Sequence, residues 1–122
     1  MKLYHIDMSK AEKLVSPVVD GAEILRLPMT DNDSETVRVG VVDFVNGART
    51  KMHTHDGDQV LVILEGEGVY ATQEEEYHVK AGDVLLFKAG ELHSHGAEEG
   101  KSVRQLGIRS VAGGSGATTA AK

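Results

Sequence analysis

From Val37 onward, short apolar runs of period two return repeatedly, each cut off by a glycine-bearing or polar turn. Side chains alternate across a strand, so a run of this kind buries one face and leaves the other wet. The segments VRVGVVDFV (37–45), VLVIL (60–64), VYAT (69–72), YHV (77–79), VLLF (84–87), LHSH (92–95) and SVRQLGIRSV (102–111) follow in order. Their spacing of roughly 8–12 residues is that of a sandwich or small barrel. With 14 glycines and 2 prolines in 122 residues, the chain is predicted to be a single all-β domain of antiparallel strands and tight turns.

Several local features refine this. Residues 1–20 are mixed, with one helical turn opening at Ser9 and an edge strand or arm; His5 is expected at the surface. AEILRL (22–27) reads as a strand ended by Pro28, and TDNDSET (30–36) as a polar loop. The alternation slips at Val41–Val42 beside Gly40, which predicts a bulge or a strand buried on both faces. Asn46–Gly47 is the strongest turn signal. Further turns are expected at Glu65 to Gly68 and Gln73 to Glu76, with VLVIL fully buried between its flanking turns. Residues 1–111 form the barrel on this reading. The stretch 112–122, AGGSGATTAAK, has almost nothing to bury and reads as a flexible tail.

Composition removes several functions. Without cysteine there is neither a disulfide nor a thiolate ligand. A net charge of -6 argues against a nucleic-acid partner, which needs a basic face. No apolar run reaches bilayer length and no signal-peptide core opens the chain, so a cytoplasmic protein with no membrane partner is expected.

The residues that carry chemistry cluster in two places. RTKMHTH (49–55) is predicted as one strand, with Thr50, Met52 and Thr54 on one face and Lys51, His53 and His55 on the other. Gln59 shares its parity with Leu61 and Ile63, so its amide points inward with them. His93 follows a later strand pair bounded by Gly82 and Gly90. Their neighbours are small or aliphatic, and a cluster of lone pairs in such surroundings is costly without a cation. His53, His55, Gln59 and His93 therefore read as ligands of one divalent metal ion per chain. Their nitrogen and oxygen donors suit manganese, iron, nickel, cobalt or zinc. His95, two residues after His93, faces the same interior as a general base, or else is a solvated histidine beside the site. Three imidazoles and one amide leave the ion its full double charge, which favours a small anionic or oxygenated ligand. Arg49, Thr50, Tyr77, His78 and Glu74 to Glu76 are assigned structural or solvent-facing roles.

The spacing G-x5-H-x-H-x3-Q-x6-G over Gly47, His53, His55, Gln59 and Gly66, then G-x7-G-x2-H over Gly82, Gly90 and His93, resembles the two motifs of the cupin superfamily. Gln59 stands where most cupins have glutamate, Lys88 where they have proline, and Ala97 where they often have asparagine. The runs GARTKMHTHDGDQ and ELHSHGA are more closely similar to the manganese-dependent bacterial hydroxynitrile lyases with a three-His, one-Gln site. A shorter likeness is to small cupins that open unsaturated uronates. The resemblance implies a cupin-type (jelly-roll) β-barrel and manganese as first choice of metal. It further implies a lyase acting on a small hydroxy or carbonyl substrate, the metal a Lewis acid and His95 the base. A uronate isomerase, a dioxygenase and a non-catalytic metal or small-ligand binding domain are the alternatives. Gln105 stands where the lyases carry a histidine on the last strand. An exposed N-terminal edge strand predicts a homodimer.

Overall fold

Alternating aliphatic residues make Gln59–Thr72 the longest strand of the protein, 14 residues, and both layers of the fold are hung on it. The structure is a computed structural model that describes residues 1–20 and 23–111; the tail assigned to 112–122 lies outside them. A 3-10 turn, Met8–Lys10, is capped by the Asp7 carboxylate, which accepts from the Ser9 amide. Ten strands follow among the described residues: β1 (Glu12–Lys13), β2 (Val19–Asp20), β3 (Glu23–Pro28), β4 (Val37–Val45), β5 (Arg49–Thr50), β6 (Gln59–Thr72), β7 (Glu76–Lys80), β8 (Val84–Phe87), β9 (His93–Ala97) and β10 (Val103–Ser110). All pairings are antiparallel. The order is β1-β3-β4-β10-β6-β9-β5-β2, with β7 and β8 also against β6.

The first half of β6 pairs with β10 and β8, the second half with β7 and β9. One strand thus crosses from one layer to the other, and the sheet curls into a small barrel. The crossing is made at a bulge. Gln105 is opposite Ile63 but Arg104 is opposite Glu65, so one residue of β6 is left over. Just beyond, Gly66 has φ +86, and a Cβ there would run into the Ser102 carbonyl. The turn expected at Glu65 to Gly68 is therefore not a turn. The glycines bend a continuous strand instead of reversing it.

VLVIL is buried on one side only: Leu61 and Ile63 are enclosed, while Val60, Val62 and Leu64 are half-buried. The slip at Val41–Val42 is no bulge either, since β4 keeps one unbroken register with β3 and β10. Val41 and Phe44, on opposite faces, are both buried, so the strand is covered on both sides. The core between the layers includes Ile24, Phe44, Leu61, Ile63, Tyr70, Phe87 and Val103. Each such aliphatic or aromatic side chain contributes roughly 1.5–3 kcal/mol by leaving water. β1 ends the strand path as an edge. Among the described residues no helix is long and apolar enough to cross a membrane.

Candidate metal centre and its cavity

The histidine pair of the first motif does not lie on one regular strand. Residues 49–55 were expected to alternate, but β5 stops at Thr50, and the Lys51 amide donates to the Val18 carbonyl at 2.6 Å, next in register to the β2 pairing. Strand-like pairing resumes only at an isolated bridge, His53 to His93. The break shifts the phase by one residue. Thr50 and His53 are both buried, whereas Lys51 and Met52 are exposed. Thr50 is consequently part of the interior, where its hydroxyl oxygen accepts from the His95 amide at 3.1 Å.

The bridge holds both histidines by their backbones. The His53 amide donates to the His93 carbonyl at 2.8 Å and the His93 amide to the His53 carbonyl at 2.9 Å. The rings are set by a second pair of bonds. Nδ1 of His53 lies 2.7 Å from the Lys51 carbonyl, and Nδ1 of His93 lies 2.9 Å from that of Glu91. A carbonyl only accepts, so each Nδ1 carries a proton, and in a neutral ring the lone pair is then on Nε2. This is the arrangement that orients a histidine ligand.

Ligand atoms of His53, His55 and His93 all lie within 4.8 Å of one another. His53 and His93 have ring centroids 4.6 Å apart, and His53 and His55 5.0 Å. Burial lowers the His93 pKa from 6.5 to about 4, and the neighbouring His53 adds to the shift, so the ring is neutral near pH 7. Among the described residues, His93 Nε2 and Gln59 Oε1 are buried with no hydrogen-bond partner. Buried acceptors are seldom left so, and each is costly until something fills it. Converging imidazole nitrogens with an orphaned amide oxygen in the same cavity wall suit a divalent cation. The three-histidine group can bind a metal ion.

His95 follows on β9 and is brought to the same interior, as its parity predicts. Its ring centroid is 5.2 Å from His53 and 5.5 Å from His93. It stacks on Tyr70 at 5.6 Å and meets the Phe44 edge at 5.5 Å. Complete burial holds its pKa well below 6.5, with His53, His93 and His55 acting in the same direction. Tyr70 was not singled out by sequence. Its hydroxyl donates to Gln105 Oε1 at 2.7 Å, and both residues are buried. Phe87, also unremarked, stacks on His93 with centroids 4.1 Å apart. The signal for both was an aromatic residue at an inward parity near a histidine strand. Tyr77 and His78 are exposed, as expected.

A cavity of about 450 Å³ opens onto this group, lined by Thr50, His53, His55, Gln59, His95 and Gln105 at its polar end. Phe44, Val42 and the Leu14 to Val18 segment add apolar wall, and Arg26, Arg38 and Arg109 stand along another side. Residues 40–108, more than half of the chain, match the cupin domain family. The chain belongs to the cupin family. This cupin is 40% identical over 81 residues to the (R)-mandelonitrile lyase of Granulicella tundricola, a stretch covering 63% of this chain and 60% of that enzyme. It is 39% identical over 49 residues to the oxalate-binding protein of Thermotoga maritima, covering 39% of this chain and 40% of that protein. The match thus spans less than two thirds of the length of either relative. A solved cupin-like protein of Thermotoga maritima superposes with a TM-score of 0.76 at 26% identity, over 88% of this chain and 81% of that one.

Proposed function

We propose that this cupin is a metal-dependent lyase acting on a small hydroxy or carbonyl compound. His53, His55, Gln59 and His93 would hold one divalent ion, manganese first among the candidates. A bound ion of this kind supplies Lewis acidity toward a substrate oxygen. The observation that carries the reading is His95, a neutral, buried imidazole beside the three-histidine group and on the wall of the same cavity. His95 takes the proton of the substrate hydroxyl while the adjacent carbon–carbon bond breaks. The oxygen becomes a carbonyl, the bonding electron pair leaves with the departing group, and the imidazolium returns the proton to that group. Phe44 and Tyr70 hold the ring in place and keep water from it. Thr50 fixes the backbone at the same residue.

The likeness to the mandelonitrile lyase supports this choice of chemistry. Manganese-loaded protein should split mandelonitrile into benzaldehyde and cyanide, and His95→Ala should lose at least about a hundredfold in kcat with metal content unchanged. Equal turnover in His95→Ala would remove the base from the reading. A second reading is favoured by the likeness to the oxalate-binding protein: a non-catalytic cupin that holds a small carboxylate. Tight carboxylate binding with no turnover of any hydroxy or carbonyl compound would select it.

A further inference from the structure

Strand register sets three side chains of the cavity wall in one row. Arg38 on β4 is the cross-strand partner of Arg109 on β10, and Arg109 is in turn the partner of Gln59 on β6. Directly opposed residues of an antiparallel pair point to the same face, so all three line the cavity together. Like charges placed opposite each other destabilise a sheet. Here two guanidinium groups face each other beside the amide that completes the metal-binding set.

The surroundings offset this charge only in part. Arg38 donates to two carbonyls, those of Ser34 at 2.7 Å and Val37 at 3.4 Å, and neither carries charge. Arg26 is matched by Asp31 at 3.5 Å. Arg109 is half-buried, and among the described residues its side chain has no ion pair and no hydrogen bond. Burial lowers its pKa, and Arg38 and Arg26 add to that shift, with Asp31 and Asp56 opposing. A guanidinium kept partly from water next to another cation is costly unless an anion joins it. The next row of the same wall is Gly40 opposite Gly107, with Leu61 beyond on β6, so the two strands that carry the arginines put no side chain next to them.

We propose that Arg109, with Arg38, is a carboxylate-binding element of the cavity, so that among small hydroxy and carbonyl compounds it holds a hydroxy- or oxo-acid more tightly than a neutral analogue. This rests on the histidine group being the reacting end of the same cavity. The acid places its hydroxyl or carbonyl function toward the histidines and its carboxylate toward the arginine row. A planar guanidinium offers a two-pronged grip that a carboxylate matches and a nitrile or amide does not.

The test uses mandelate and mandelamide, which share a skeleton and differ in charge, titrated calorimetrically into manganese-loaded protein. The parent should bind mandelate about tenfold or more tightly than mandelamide. Arg109→Gln should lose about tenfold of the mandelate affinity and keep its mandelamide affinity within about twofold. Arg109→Lys should also lose affinity, since it keeps the charge but not the fork, and it serves if the glutamine variant fails to fold. Raised salt should weaken mandelate binding alone. Equal affinity for the two compounds in the parent, or mandelate binding untouched by either substitution, overturns the assignment. Failure to bind mandelate at all overturns it as well. Mandelonitrile cleavage by the parent against His95→Ala is read separately, so that loss of the lyase reading is distinguishable from loss of the carboxylate element.

Discussion

His53 and His93 hold each other by reciprocal backbone hydrogen bonds of 2.8 and 2.9 Å, and each ring is tied through Nδ1 to the carbonyl two residues before it. The two halves of the site, forty positions apart in the chain, are thereby built on one bridge that involves no side chain. Removing an imidazole leaves that bridge intact. His53→Ala should therefore bring bound metal close to zero, measured by elemental analysis, while the far-ultraviolet circular dichroism stays that of the parent. Full metal occupancy in the variant would exclude His53 as a ligand.

Acidification should weaken the metal-stripped protein in a defined window. The unfolded chain protonates His93 near its ordinary value of 6.5, whereas burial keeps the folded ring neutral down to about 4. Above 6.5 neither state binds the proton, and the full stability is present. Between 6.5 and about 4 the unfolded state takes up a proton that the folded state refuses, so stability falls with pH. His95, shifted in the same direction, adds to the loss. The melting temperature should drop by roughly 5 °C or more across this window. A flat profile would mean that both imidazoles reach water in solution.

Part of this site is legible in the chain because strand parity on β6 and β9 turns side chains inward. Gln59 follows Leu61 and Ile63 inward, and His95 follows His93. Thr50 escapes that logic. Its inward position depends on Lys51 giving its amide to Val18, a contact between distant segments that no local period records. Glu65 to Gly68 has the composition of a turn, yet the pairing of β6 with both layers carries the strand through it. The arginine row was invisible for a related reason. Arg38, Arg109 and Gln59 come together only once the registers of three strands are known.

Tyr70→Phe should destabilise the barrel although it removes a single oxygen. The hydroxyl is buried, and its one hydrogen bond, 2.7 Å to Gln105 Oε1, leaves that amide oxygen enclosed without a donor when it is lost. An unmet buried acceptor costs about 1–3 kcal/mol. The double variant Tyr70→Phe, Gln105→Leu should recover part of that loss in a urea titration. No recovery would mean that Gln105 finds another donor.

The chain should associate as a homodimer. Val84 and Leu86 on β8 are 65% and 57% exposed, and they flank Val62 and Val60 of the adjoining strand. Ile108, opposite Val60 on the other side, continues the apolar face. Leu86→Glu should shift the species seen in sedimentation velocity from dimer to monomer without changing metal content. A parent that sediments as a monomer at high concentration would refute the expectation.

As a fourth ligand Gln59 would set the charge of the site, and replacing it should separate two affinities. With three imidazoles and an amide, a divalent ion keeps its charge of +2; a glutamate would reduce the total to +1. Gln59→Glu should bind the metal more tightly, because charge attraction adds to coordination. The same change should weaken small anions for two reasons. The positive field at the ion is roughly halved, and the new carboxylate stands directly across from Arg109, where it competes for the guanidinium. Metal affinity and mandelate affinity should therefore move in opposite directions, each by about tenfold. Titrating manganese and then mandelate into parent and variant measures both. If anion affinity is unchanged or rises, Gln59 neither tunes the ion nor shares a ligand with Arg109, and the electrostatic account of the cavity fails.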